Sequence, residues 1–311
     1  MSSVLIAGSN GLVGRAILRK APPRTDVWTP SRREVDFKDY EATKKYLKEI
    51  RPSVVFVAAA KVGGIGANSR FQKEFLSENL MIQNSILLAA ADQHISTLVF
   101  LGSSCIYPKL APQPISEESL LTGALEPTNE GYAIAKIAGI RLAKAIFEQD
   151  GLKFFSLMPT NLYGPNDNFD KYSSHVPAAL MRRFHEAKIN GDPEVIVWGT
   201  GTPRREFMHV DDMASACWHM VDQQVGGELI NIGTGVDISI LEFAMLMAKV
   251  VGFKGEVVFD GSKPDGTPRK LLDVSKAHSL GWRHRINLEE GLSQTYAWFV
   301  DALTKGEVRG Y

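Results

Sequence analysis

Hydrophobic residues follow two alternating patterns along the first half of the chain. Short runs rich in β-branched and aromatic residues predict strands over residues 4–7, 27–29, 54–57, 97–101 and 154–158. Between them, apolar residues recur at helical spacing and predict helices from Leu12, from Asp39, over roughly 71–93 and from near Tyr132. Strands that alternate with helices imply βαβ units, so we expect an α/β fold with a parallel sheet.

The rhythm changes after the stretch "PTNLYGPNDNF" (159–169). The second half predicts helices near 176–188, near 211–221 and over 240–251, with strands over 195–198, 229–232 and 257–259. We expect parts of this half to return to the first sheet. Since the sequence has no internal repeat and no low-complexity linker, the two lobes should pack directly against each other.

Composition excludes several classes of partner. Lys and Arg total 35 and Asp and Glu total 35, so no global field favours nucleic acid or an anionic membrane. The sequence shows neither a membrane-spanning apolar run nor a signal peptide, and Cys105 and Cys217 are too few for a disulfide framework. We therefore expect a cytoplasmic protein in a reducing environment, and we predict no metal site.

A glycine motif follows the first predicted strand. In "VLIAGSNGLVG", Gly8, Gly11 and Gly14 have the spacing Gly-x-x-Gly-x-x-Gly and precede a helix. Glycines allow the backbone to approach a pyrophosphate closely, and the helix N-terminus offers N–H donors. This position predicts a dinucleotide site, although a glycine turn that merely packs remains the alternative.

The residues after the second strand bear on the choice of nicotinamide cofactor. The chain reads "VWTPSRREVDF", so Ser31, Arg32 and Arg33 stand where an acidic residue would bind the ribose 2′-hydroxyl of NAD. Guanidinium groups suit a 2′-phosphate, which favours NADP. The alternative is that both arginines are solvated surface charges.

A serine, a tyrosine and a lysine form the candidate catalytic set. Ser103 follows the fourth strand, and Tyr132 and Lys136 are four residues apart on one face of a helix. An ammonium group beside a tyrosine stabilises the phenolate, so we expect a lowered pKa at Tyr132 and proton exchange with a carbonyl or alcohol oxygen.

These features resemble the extended short-chain dehydrogenase/reductase superfamily, in the branch that acts on nucleotide sugars. The resemblance runs from Val4 to about Phe299. The segments "AAAKVGGIGAN", "LGSSCIYPK", "EPTNEGYAIAKIAG", "PTNLYGPNDNF", "WGTGTPRREFMHVDDM" and "KPDGTPRKLLDV" are similar to a family of 3,5-epimerase/4-reductases that convert GDP-4-keto-6-deoxy-D-mannose to GDP-L-fucose.

The resemblance implies a Rossmann-like, doubly wound parallel sheet with a smaller α/β substrate-binding domain. The NADP-binding domain would comprise 1–165 plus about 206–233, and the nucleotide-sugar domain about 166–205 and 234–311. Family members commonly pair two long helices across a two-fold axis, which implies a homodimer through 71–93 and 132–149.

The resemblance also implies separate roles for the site residues. Cys105 would be the base and His175 the acid of epimerisation, while Tyr132 protonates O4 as NADPH delivers a hydride to C4. The implied cofactor contacts are Gly8, Ser9, Asn10, Gly11, Leu12, Val13, Gly14, Arg32, Asp36, Leu101, Gly102, Lys136, Pro159, Asn161, Leu162 and His175. The implied substrate contacts are Ser104, Cys105, Asn161, Arg183, Trp198, Arg205, Asp265 and Lys270.

One departure from the family pattern concerns the glycine loop. Asn10 stands where the family can place an arginine near the cofactor phosphate, so Arg32 would carry more of the NADP preference and mixed use of NADPH and NADH becomes plausible.

Four other functions are alternatives for this sequence. A 4,6-dehydratase would need an Asp–Glu pair where Ser104 and Cys105 stand, a 4-epimerase would need neither Cys105 nor His175, and a non-enzymatic relative would lack part of the Ser–Tyr–Lys set. The nearest rival is a related GDP-4-keto-sugar enzyme of the GDP-colitose or GDP-6-deoxyheptose type.

Overall fold

The computed structural model describes residues 3–263 and 265–311, so the first two positions of the predicted nucleotide domain lie outside the described residues. The first half contains β1 (Ser3–Ala7), α1 (Leu12–Arg19), β2 (Asp26–Trp28), α2 (Tyr40–Ile50), β3 (Val54–Val57), α3 (Ile65–Arg70), α4 (Gln72–Asp92), β4 (Thr97–Leu101), α5 (Glu130–Asp150) and β5 (Lys153–Pro159). The second half contains β6 (Asn161–Tyr163), α6 (Val176–Asn190), β7 (Glu194–Trp198), β8 (Arg204–His209), α7 (Val210–Val221), β9 (Leu229–Ile232), β10 (Asp237–Ser239), α8 (Ile240–Val251), β11 (Glu256–Asp260), β12 (Arg269–Lys270), α9 (Ser275–Ser279) and α10 (Leu288–Thr304).

Six parallel strands form the main sheet in the order β2-β1-β3-β4-β5-β9. The chain passes from β1 to β2 on one side and then crosses to β3 on the other, so the strand order reverses at β1. Such a switch point opens a crevice beyond the carboxyl ends of the strands, where ligands bind in open α/β sheets.

Side-chain alternation divides the core of this sheet into two layers. Leu5 and Val55 point to the layer that packs with α2, α4 and α5, whereas Val4, Ile6 and Phe56 point to the layer with α1 and α7. Because successive strand residues face opposite sides, a strand buried on both faces is apolar throughout. The observed doubly wound architecture confirms the predicted Rossmann-like class.

A second lobe forms around β8. Strands β6, β10 and β12 all pair with β8, while β7 and β11 form a separate parallel pair. Its core contains aromatic residues from strand and helices alike, including Phe184, Phe207, Phe243 and Phe299. The rings of Phe207 and Phe243 stack with centroids 4.2 Å apart, which fixes α8 against β8.

The predicted strands over 54–57, 97–101 and 229–232 and the predicted helix over 240–251 have the observed bounds. The helix predicted from near Tyr132 begins two residues earlier, at Glu130. Within the described ranges, no helix is both long and apolar enough to span a bilayer.

Candidate functional site

The predicted glycine loop lies at the switch point of the sheet. Gly8 has φ +88°, and a Cβ there would lie 2.5 Å from the Ala59 nitrogen, while a Cβ at Gly14 would lie 2.2 Å from the Gly8 oxygen. Gly11 begins α1, and its backbone N–H donates to the Gly8 carbonyl at 3.1 Å. Only glycine fits these close approaches, so the cradle suits the phosphates of a dinucleotide. Ser9 is buried and Asn10 is exposed, with Leu12 and Val13 in the first turn of α1.

Basic side chains follow β2 at the same edge. Arg32 is exposed. The pKa of the Glu78 carboxyl is lowered chiefly by its hydrogen bond with Lys61, and the positive charges of Lys38 and Arg32 lower it further. Asp36 is exposed and accepts a hydrogen bond from the Lys38 N–H at 3.0 Å. The edge therefore carries a surplus of positive charge next to the glycine loop.

The predicted catalytic residues Ser103, Tyr132 and Lys136 come together beyond β4. The Lys136 ammonium is buried and donates to the Leu101 carbonyl at 2.7 Å, and it lies 5.9 Å from the centre of the Tyr132 ring. Ser103 accepts a hydrogen bond from the Cys105 N–H, and its hydroxyl faces Tyr132 closely enough to lower the tyrosine pKa. The strand end and α5 thus assemble the set as expected.

The protonation of this set differs from the expectation. Burial raises the pKa of Tyr132, the neighbouring Cys105 raises it further, and Ser103 lowers it. Burial also lowers the pKa of Lys136 to about 7. The expected lowering of the Tyr132 pKa is therefore wrong for this structure, because burial of the phenol outweighs the hydrogen bond with Ser103.

Cys105 lies beside this set with two donors at its sulphur. The Asn129 amide donates to Sγ at 3.3 Å, and the Lys270 ammonium donates from 3.7 Å. Lys270 lies on β12, far along the chain, so the fold brings a cation of the second lobe to a thiol of the first. Contacts of this kind suit negative charge on sulphur.

His175 precedes α6, and its side chain is exposed. Desolvation of the imidazole by neighbouring protein atoms lowers the pKa of His175, and the positive charge of Arg309 lowers it further. Contacts connect Ser173, two residues before His175, with the catalytic set. The Gly64 N–H donates to the Ser173 carbonyl at 3.0 Å, Gly63 lies against the Phe75 ring, and that ring lies 6.4 Å from the Tyr132 ring.

The remaining predicted cofactor residues line the strand ends. The Gly102 N–H donates to the Leu157 carbonyl at 2.9 Å, and the Asn161 amide donates to the Glu206 carbonyl at 2.8 Å. Pro159 and Leu162 are half-buried on β5 and β6. Ser104, which follows Ser103 directly after β4, is buried.

The predicted substrate residues fall into two groups on the second lobe. Burial lowers the pKa of Arg205, and the charge of Asp265 opposes that change. The Asp265 carboxylate itself accepts hydrogen bonds from the Thr200 N–H at 2.9 Å and the Thr200 hydroxyl at 2.7 Å. Arg183 donates to the Ile196 carbonyl at 2.6 Å, and Trp198 exposes 67% of its surface beneath the Lys263 ammonium. Burial also lowers the pKa of Arg183, which keeps a poorly solvated guanidinium available for an anion.

Two features escaped the sequence analysis. Glu206 is fully buried and accepts hydrogen bonds from the backbone N–H groups of Gly235 at 2.8 Å and Leu272 at 3.0 Å. It ties the segment before α9 to β8, and the only sequence signal was a glutamate directly before the apolar pair Phe207 and Met208. Asn129 gave no signal, because its contact with Cys105 depends on tertiary structure. Among the described residues, no group of three or more His, Cys, Asp or Glu could hold a metal ion.

Known proteins share both the sequence and the fold. Residues 4–233 match the NAD dependent epimerase/dehydratase family. GDP-L-fucose synthase from Escherichia coli K12 is 53% identical, with 96% of each chain covered, and GDP-L-fucose synthase 1 from Arabidopsis thaliana is 52% identical, with 96% of this chain and 93% of the relative covered. GDP-L-colitose synthase from Yersinia pseudotuberculosis is 38% identical, over 96% of this chain and 98% of the relative.

Solved structures extend this similarity. A GDP-6-OMe-4-keto-L-xylo-heptose reductase from C. jejuni has a TM-score of 0.90 at 36% identity, with 96% of this chain and 98% of that chain covered. A GDP-L-fucose synthetase from Naegleria fowleri bound to NADP has a TM-score of 0.90 at 27% identity, with 98% of this chain and 96% of that chain covered. The resemblance inferred from the motifs is therefore confirmed, and the chain belongs to the NAD dependent epimerase/dehydratase family.

Proposed function

We propose that this protein converts GDP-4-keto-6-deoxy-D-mannose to GDP-L-fucose, acting as an NADPH-dependent 3,5-epimerase and 4-reductase. The observation that carries the proposal is the Cys105 thiol, contacted by Lys270 and Asn129 and adjacent to the Ser103–Tyr132–Lys136 set. A plain reductase has no use for a second proton acceptor there. Two curated GDP-L-fucose synthases at 52–53% identity support the same reaction.

The residues at the switch point fit NADPH. The glycine cradle over 8–14 would hold its pyrophosphate, Arg32 its 2′-phosphate, and Lys136 and the segment around Pro159 the nicotinamide half. When bound, NADPH supplies the hydride for C4.

Epimerisation uses Cys105 and His175. The C4 ketone acidifies the C–H bonds at C3 and C5, and the Cys105 sulphur removes a proton from one face. Lys270 holds the sulphur in place and stabilises its charge. His175 returns a proton on the opposite face, which inverts the carbon centre. In reduction, the Tyr132 hydroxyl donates its proton to O4, Ser103 hydrogen-bonds the same oxygen, and Lys136 stabilises the phenolate that remains.

The second lobe binds the nucleotide diphosphate. Arg183 and Arg205 would bond the phosphates, because a desolvated guanidinium makes strong charge-assisted hydrogen bonds. Trp198, with its exposed face, would stack on the base, and Asp265 would hold the loop at Thr200 in place through its hydrogen bonds.

Product NMR in heavy water tests the function. The purified protein is incubated with GDP-4-keto-6-deoxymannose and NADPH in D₂O. We expect GDP-L-fucose carrying deuterium at C3 and C5. Without NADPH oxidation the reductase is rejected, and oxidation without deuterium at these carbons leaves a 4-ketoreductase.

A related GDP-4-keto sugar is the second candidate substrate. The similarity to a colitose synthase and to a heptose reductase supports it. Comparing kcat/KM for the 6-deoxymannose, colitose and heptose precursors decides between them, and we expect the first to be preferred.

The cofactor preference depends on Arg32. We predict that Arg32→Ala raises the Kd for NADPH about tenfold and leaves that for NADH unchanged, since a lost charge-assisted bond costs about 1.4 kcal/mol or more. Fluorescence titration with both cofactors measures the two constants. Arg24→Ala removes a guanidinium at the opposite end of β2 and serves as the control. Equal weakening of both cofactors would contradict the role of Arg32.

We propose a homodimer through α4 and α5. Met81 and Leu88, seven residues apart on α4, expose 52% and 43% of their surface, and Ile134 on α5 exposes 43%. These side chains would pair across a two-fold axis. We predict that the double variant Met81→Glu, Leu88→Glu halves the mass measured by light scattering. An unchanged mass would contradict this interface. We also propose a cytoplasmic location, because the mechanism needs a free thiol and a reducing compartment maintains one.

A further inference from the structure

Residues 308–311 pack against the loop 167–175, which carries His175. The Phe169 N–H donates to the Arg309 carbonyl at 2.9 Å. Gly310 has φ +78°, and a Cβ there would lie 2.6 Å from Asn168 Oδ1 and 2.7 Å from the Asp170 nitrogen. The two backbones therefore meet at a distance that only glycine permits.

Arg182 on α6 holds both segments together. Its Nη1 donates to the Phe169 carbonyl at 2.7 Å and to the Gly310 carbonyl at 2.9 Å. Its guanidinium also lies 4.2 Å from the centre of the Tyr311 ring, and that ring packs 5.7 Å from the Phe299 ring in the core of the second lobe. The Arg182 side chain thus joins the 308–311 segment to Phe169, near the start of the loop that leads to His175.

The loop transmits this anchoring to His175. The Asp170 carboxylate accepts hydrogen bonds from the N–H groups of Tyr172 at 3.1 Å and Ser173 at 2.9 Å, and the Asn168 amide donates to the Ser173 hydroxyl at 2.9 Å. The Ser174 N–H donates to the Asp170 carbonyl at 3.2 Å. Residues 168–170 therefore determine the course of the chain into His175.

We propose that the 308–311 segment positions His175, the acid of the epimerisation, by fixing the loop that carries it. The proposal rests on the proposed function. Gly310 and Arg309 are positioning residues, since they act through the loop and touch neither substrate nor cofactor.

The charges around His175 agree with this arrangement. Arg309 lowers the His175 pKa, and it also opposes the effect of burial on Asp167, whose pKa burial raises to about 7. Asp170 is occupied by the loop N–H groups and lies in the field of Arg182. Removing the Arg309 charge raises the pKa of His175, so His175 stays protonated to a higher pH.

The first test compares two glycines of the same chain end. Gly310→Ala forces a Cβ into Asn168 and Asp170, whereas Gly306→Ala, at φ +67°, meets no atom within 4 Å. Both variants carry similar backbone strain. We expect Gly310→Ala to lower the rate of deuterium incorporation at C3 and C5 about tenfold or more. Gly306→Ala should keep the wild-type rate.

The second test follows the pH profile of the exchange. In Arg309→Gln the basic limb, where the acid loses its proton, should move to higher pH. In Lys305→Gln, which removes a cation paired with Asp301, the limb should stay in place. A purely structural role for Arg309 would change the rate without moving the limb.

The outcomes separate this proposal from the proposed function. If wild-type protein shows no exchange, both are rejected. If wild-type protein exchanges and Gly310→Ala matches Gly306→Ala, the positioning role of the 308–311 segment is overturned and the function stands. If the limb of Arg309→Gln does not move, the effect of the Arg309 charge on His175 is overturned.

Discussion

Replacing Cys105 by serine is expected to abolish incorporation of solvent deuterium at C3 and C5, lowering the exchange rate about 100- to 10,000-fold. A serine hydroxyl holds its proton at neutral pH, so it cannot serve as the base even beside Lys270 and Asn129. The binding of NADPH should persist, because the glycine cradle does not involve Cys105. NMR of the substrate in D₂O without NADPH measures the exchange directly.

Cys217→Ala provides the matched control. Cys217 is the second free cysteine, fully buried in the layer between the main sheet and α7, and burial raises the pKa of its thiol. Its removal should leave exchange intact at a modest cost in stability. Wild-type exchange in Cys105→Ser would show that another group is the base.

Much of the nucleotide-binding half could be predicted from its sequence. Strands β3 and β4 are buried on both faces, so each is a continuous apolar run bounded by polar residues. The second lobe was harder. Strand β8 begins with the charged residues Arg204 and Arg205, so its sequence lacks the apolar pattern of a core strand. Strands β6 and β12 are too short to show a hydrophobic period. Helix α10 was missed although its N-cap Asn287 is a recognisable start signal.

The candidate site was predictable where local spacing determines it. Tyr132 and Lys136 share a helix face, and Ser103 ends a strand, so the sequence alone brought these three together. The contact of Lys270 with Cys105 spans 165 residues, and no local pattern encodes it. The Tyr132 pKa was predicted in the wrong direction, because spacing placed the lysine nearby but could not show how far the folded chain buries the phenol.

Replacing Tyr132 by phenylalanine should separate the two half-reactions in the opposite sense. We expect NADPH oxidation to fall about 100- to 10,000-fold while deuterium exchange at C3 and C5 continues. The raised pKa of Tyr132 keeps the hydroxyl protonated, as a proton donor to O4 requires, and phenylalanine has no proton to give. Absorbance at the NADPH band measures oxidation, and NMR in D₂O measures exchange in the same sample.

Tyr296→Phe is the control, since it removes a phenol that bonds His185 at 3.0 Å on the second lobe and should leave both rates intact. Two results would contradict the assignment. Persistent NADPH oxidation in Tyr132→Phe would mean that Ser103 or Lys136 protonates O4. Loss of both exchange and oxidation would mean that Tyr132 also takes part in epimerisation. Its position next to the Cys105 thiol would allow this. Because Cys105→Ser and Tyr132→Phe are expected to fail in complementary steps, the pair tests whether one cleft performs two reactions with separate proton-transfer groups.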